Sequence, residues 1–113
     1  MYPIGHNLIV IIIRRTEQFR EWLKLLRDTE GKAKIMVRID RMELGNKGDA
    51  APIGKGLSEM RIHHGPGYRV YFVNHGPTVV TLLCGGDKST QKKDIKTAQE
   101  LAKSLPAIYG IIK

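Results

Sequence analysis

The stretch "EMRIHHGPGYRVYF", residues 59–72, decides how this chain is built. Its flanks alternate apolar and polar residues, and its middle is His64-Gly65-Pro66-Gly67, two glycines around a proline. Glycine supplies left-handed backbone and proline presets φ, so the middle is turn chemistry and the whole predicts a β-hairpin with strands over 59–63 and 68–72. Successive strand residues point to opposite faces. Met60, Ile62, Val70 and Phe72 then form the inward set, and Glu59, Arg61, His63, Arg69 and Tyr71 gather on the outer face. A cross-strand Glu–Arg pair on a solvated face contributes about 0.2–1 kcal/mol and needs no function to explain it. Two arginines, a carboxylate, an imidazole and a phenol together suit the handling of phosphate, because a guanidinium offers a planar fork of donors and never loses its charge.

The rest of the chain supplies the frame. With 113 residues it is one domain, 1–113, and 42% hydrophobic against 27% charged residues places it among ordinary globular proteins. Residues 7–13, "NLIVIII", are apolar on both faces and predict a central strand. They are too few for a membrane span and lack the flanks of a signal peptide, so the expectation is a cytoplasmic protein without a membrane partner. Thr16 is placed to cap a helix whose stripe is Phe19, Trp22, Leu23 and Leu26. A second helix is expected over 30–44, with Ile35, Ile39 and Met42 on one stripe and Lys34, Arg38 and Arg41 on another. Gly45 ends it. The segment "GNKGDAAPIGKG", residues 45–56, shows neither period and reads as a loop. Residues 78–86 read as a buried strand, and 89–104 as a helix with Ile95, Ala98, Leu101, Ala102 and Leu105 on one side, stopped at Pro106. The expected fold class is thus α/β (α+β): two N-terminal helices packed on one face of a four-stranded, antiparallel-dominated sheet, in the order β-α-α-β-β-β-α, with the other face partly open.

Nineteen Lys and Arg against eleven Asp and Glu give a net charge of +8, which draws polyanions to so small a surface. The single cysteine, Cys84, excludes a disulfide framework and reads as a small buried hydrophobe. "GGDKST", residues 85–90, lacks the spacing of a phosphate loop and reads as a strand end, a glycine turn and a helix start, where backbone amides and Lys88 can still hold one phosphate. No metal site is expected: of the four histidines, adjacent His63 and His64 point to opposite faces, and His6 and His75 stand apart.

The hairpin, taken with "LLCGGDKSTQKKDIKTA", "FREWLKLLRD", "RIDRMELGNKGD" and "IGKGLSEMRI", resembles the RelE/ParE superfamily of bacterial toxins, and within it the HigB-like addiction-module killer proteins. The resemblance spans about residues 14–103. It implies the toxin of a type II toxin–antitoxin system: an mRNA interferase, that is a ribosome-dependent endoribonuclease inhibiting translation. It further implies a cognate antitoxin as partner, mRNA on the ribosome as substrate, and contact with operator DNA only through the antitoxin. A sister branch, typified by ParE, inhibits DNA gyrase instead, and a non-toxic basic nucleic-acid-binding module is a third reading. For the nuclease, the resemblance implies attack of a 2′-hydroxyl on the adjacent phosphate with no metal or other cofactor. Glu59 would be the base with His63 as its substitute, and Arg61, Arg69 and Lys88 would steady the phosphate. Lys34, Arg38, Arg41, Lys47 and Lys55 would grip RNA, Tyr71 or His63 would stack on a base, and Gln91 lies close by. Where several active relatives carry a tyrosine or histidine, this chain has "STQKKDI" with Gln91 and Asp94, so no residue is assigned as the acid.

Overall fold

A computed structural model describes residues 10–106; the start of the first expected strand, His6, Tyr109 and the apolar tail lie outside it. Its elements are β1 (Ile12–Arg15), α1 (Glu17–Leu25), α2 (Thr29–Glu43), β2 (Ala50–Gly54), β3 (Leu57–Ile62), β4 (Tyr68–His75), β5 (Val79–Asp87), a short 3-10 turn (Lys88–Thr90) and α3 (Gln91–Lys103). The sheet has five strands in the order β1-β5-β4-β3-β2. The β1–β5 pairing is parallel and the rest are antiparallel.

Two of these facts correct the reading from sequence. The sheet has five strands, not four, because the glycine-rich segment contains β2. Its residues Ala-Ala-Pro-Ile-Gly carry no alternation of their own; they are held by the backbone of β3, with Ala50 opposite Met60 and Ala51 opposite Glu59. Pro52, which has no N–H to give, is tolerated because β2 is an edge strand. The apolar N-terminal run is likewise an edge and not a central strand. Ile11 and Ile13 turn into the core, while Ile12 on the opposite face stays 51% exposed.

The helices form where caps and stripes coincide. The Thr16 hydroxyl accepts the Phe19 N–H at 3.0 Å and donates to the Leu83 carbonyl at 2.5 Å, so the residue that starts α1 also pins it to β5. Asp28 caps α2 through the Gly31 N–H at 2.9 Å. At the far end Gly45, with φ 90°, and Asn46 donate to Met42 and Arg41, the Schellman arrangement that suits glycine past a helix end.

The two sheet faces carry separate cores. Phe19, Ile35, Ile39 and Met42 of α1 and α2 pack on Met60, Ile62, Val70, Phe72, Val80 and Leu82. On the other face Ala98, with Ile95, Leu101 and Ala102 of α3, packs on Leu57, Tyr71, Leu83 and Cys84. The expected open face is therefore covered over β4 and β5. A bulge in β5, where Tyr71 pairs with Cys84 and Phe72 with Leu82, puts Leu83 and Cys84 on the same side and reverses the alternation beyond it. Gly85 then faces α1 and Gly86 faces α3. A Cβ on Gly85 would stand 2.4 Å from the Trp22 ring, and one on Gly86 would meet the Asp94 carboxylate. The glycine pair is strand, not turn, and its role is close approach.

Candidate active site

On the α3 face, register sets Glu59 opposite Tyr71 and Arg61 opposite Arg69. Two arginines directly across a ladder repel one another unless anions stand between them. Here Glu59 and Asp49 do so. Glu59 Oε2 lies 3.7 Å from Arg61 Nη1, and its Oε1 lies 3.8 Å from Arg69 Nε. Gln91, the first residue of α3, donates its amide to the same Oε1 at 3.0 Å. Arg61 reaches the other way as well, donating from Nη2 at 2.9 Å and Nε at 3.2 Å to Asp49 Oδ1. His63 Nε2 lies 2.5 Å from Asp49 Oδ2. The hydrogen bond from His63 and the contacts from Arg61 hold the Asp49 carboxyl below its ordinary value against a smaller opposing effect of burial.

The site is more enclosed than an outer sheet face would be. Glu59 is 5% exposed, Arg69 9% and Tyr71 0%. Tyr71 therefore offers no surface on which a base could stack, because α3 covers the ring. Burial, and then the Glu59 charge, push its phenol well above the ordinary range, so it stays a donor. Yet Tyr71 Oη and Arg69 Nε, both buried, have no hydrogen-bond partner among the described residues. Lys88 adjoins the cluster at the hairpin tip. Its Cβ and Arg69 Nη1 both come within 4.0 Å of the Cβ position that Gly67 lacks. The amides expected to hold a phosphate at this turn are not open, because the Asp87 carboxylate accepts the Ser89 N–H at 2.8 Å.

The other sequence-derived residues divide. Lys34, Arg38 and Arg41 line one depression of about 410 Å³ together with Val37, Ile62 and His63. Arg38 is structural as well: it donates to the carbonyls of Arg61 at 2.5 Å, Lys47 at 3.1 Å and Asp49 at 3.3 Å, which fastens the segment before β2 to α2 and β3. Lys47 donates to Asn74 Oδ1 at 2.9 Å and lies over the Phe72 ring. Lys55 stands at the β2–β3 turn beside Gln99, Ala102 and Lys103 of α3, remote from the cluster along the sheet. His64 belongs elsewhere again, with Nε2 at 3.4 Å from Asp28, whose carboxylate also accepts the Tyr68 hydroxyl at 2.8 Å. Cys84 is buried, which pushes its thiol up to about 12.

Asp49 is the member that sequence reasoning missed. The signal was faint but present: it is the one carboxylate within residues 45–56, just ahead of a strand carrying arginine and histidine. Among the described residues no three His, Cys, Asp or Glu side chains are grouped to hold a metal ion.

The comparison with protein families decides the lineage, since residues 21–103 match the family described as "Phage derived protein Gp49-like (DUF891)". The chain belongs to the phage-derived Gp49-like family. That is a RelE-like, toxin-type family. An uncharacterized protein of Haemophilus influenzae is 50% identical over 97 residues, covering 86% of this chain and 98% of its own length. The Gp49-like match runs from α1 through α3, so it contains every residue of the cluster. No helix among the described residues is long and apolar enough to cross a membrane.

Proposed function

We propose that this Gp49-like protein is the toxin of a type II toxin–antitoxin module and cleaves mRNA on the ribosome as an endoribonuclease. One observation carries the reading: Arg69 Nε and Tyr71 Oη are buried donors without acceptors, side by side with Arg61 and Lys88. Leaving a buried donor unpaired costs about 1–3 kcal/mol, so the cluster is built to receive an acceptor. A phosphoryl oxygen is an acceptor of the right charge, and donors fixed in advance around it stabilise the extra negative charge of an in-line displacement. A phosphate reaches them from the Lys88 side when the Gln91 amide leaves Glu59. The antitoxin we expect is a small protein presenting acidic and apolar residues to α3 and the sheet beside it.

A second reading, a gyrase inhibitor of the ParE type, is favoured by the enclosure of Glu59 and Arg69, since a closed ion-pair network can serve the fold alone. Brief expression followed by mapping of mRNA ends separates the two. Codon-phased cuts that vanish with Arg69→Gln, in a variant that still melts cooperatively, support the nuclease. Intact transcripts together with DNA breaks sink it, and harmless expression sinks both.

A further inference from the structure

We propose that His63, oriented by Asp49, accepts the proton of the attacking hydroxyl, and that the RNA strand lies in the depression between α2 and the end of β3. This rests on the nuclease reading above and names the residues that act in it.

Three observations lead there. First, Glu59 is poorly placed as a base: both its oxygens face cations or the Gln91 amide, and its side chain is 7% exposed. Second, the His63 side chain is 73% exposed while one nitrogen is fixed. A carboxylate can only accept, so His63 Nε2 carries the proton toward Asp49, which leaves the Nδ1 lone pair unused and open to solvent. Asp49 is itself immobilised. Arg61 grips its side chain, and its carbonyl accepts from the Arg61 N–H at 2.9 Å and from Arg38. This is the logic of a carboxylate that sets the tautomer and direction of an imidazole. Third, His63 shares its depression with Lys34 and Arg41, two exposed cations one helical face apart from Arg38. His63 and Glu59 are separated by four positions, about 13 Å of extended chain. One phosphate cannot have both as its base.

The step balances without a further reagent. The 2′-hydroxyl gives its proton to His63 Nδ1 as its oxygen bonds to phosphorus. The P–O5′ bond breaks, and its electron pair leaves on the 5′-oxygen, which takes a proton from water. The imidazolium returns its proton to the hydroxide so formed. The products are a 2′,3′-cyclic phosphate and a 5′-hydroxyl. Lys34, Arg41 and Arg61 face the charge that develops, and Asp49 faces the imidazolium. His63 is the catalytic residue and Asp49 a positioning residue.

The test is single-turnover cleavage by the full chain on mRNA-programmed ribosomes. His63→Ala should slow cleavage by about 100-fold or more, the usual contribution of a general base, and imidazole added to the buffer should restore part of it. Asp49→Asn should slow the wild type but add nothing in the His63→Ala background, and Asp49→Glu should recover more than Asp49→Asn. A His63→Ala protein that cleaves at the wild-type rate overturns this assignment and leaves the nuclease standing. So does an Asp49→Asn effect that persists undiminished without His63. A wild-type chain that does not cleave overturns the nuclease reading, and this one with it.

Discussion

Glu59 sits among three donors in a nearly dry setting, and what surrounds it determines what its loss does. Removing one partner of a buried ion pair leaves the other charge uncompensated, which costs about 3–5 kcal/mol. Glu59→Ala is therefore expected to lower the urea midpoint by that order, and Glu59→Gln to recover part of the loss by keeping an acceptor for Gln91. Tyr71 should behave in the opposite sense. Its hydroxyl is buried and unpartnered, so Tyr71→Phe removes an unsatisfied donor and should stabilise the fold by about 1–3 kcal/mol in the same titration. A protein that loses RNA cleavage while gaining stability in this way would mark the hydroxyl as kept for a ligand. Alternation alone identified which side chains share this face, and Glu59, Arg61, Arg69 and Tyr71 do share it. What it could not show is that the face is covered, because cover comes from α3, which is distant in sequence. Asp49 was missed for a related reason: its partners are Arg61 and His63, and nothing local announces a contact across 12 or 14 positions.

Among the elements, β5 is the most constrained. Its bulge sends Gly85 under Trp22 and Gly86 under Asp94, so the two glycines serve opposite faces. Gly85→Ala forces a methyl into the indole and is expected to cost about 1–3 kcal/mol by overpacking. Pairing it with Trp22→Leu should recover much of that loss, which a double-mutant cycle would show. The start of α2 carries a pH dependence. The Gly31 N–H and then the Tyr68 hydroxyl hold the Asp28 carboxyl below its ordinary 3.8. A lowered folded value means that its contribution is complete above about pH 4 and fades as the pH falls through that lowered value. The difference in melting temperature between wild type and Asp28→Ala should accordingly shrink on acidification below pH 4. The helix stripes were legible because amphipathic periodicity is a local property; β2 was not, because Ala50–Gly54 owes its extended form to the β3 backbone beside it.

Taken together, the charge of +8 is distributed unevenly over the surface, with Lys34 and Arg41 beside the reactive imidazole. Each phosphate neutralised on a single strand makes the binding constant fall by about 0.7 log units per log unit of salt. Replacing both residues with alanine should thus flatten that slope by about 1.4 in an anisotropy titration with labelled RNA. The composition foretold a polyanion partner but not its berth, since Arg38, from the same stripe, turns out to be spent on carbonyls. A last consequence concerns time. The chain's first described strand lies beside its last one, and Thr16 reaches the Leu83 carbonyl across 67 positions. While the protein is being synthesised, α1 and α2 emerge with no sheet to rest on, and non-local pairings of this kind close late. The antiparallel strands β2 to β5 can zip together as they appear, and β1 can dock only afterwards. In pulse-labelled hydrogen exchange during refolding, amides of β4 and β5 should gain protection before those of β1. A half-made copy would then be harmless to the ribosome making it, because neither the arginine cluster nor its cover exists until the final strand and helix have been translated.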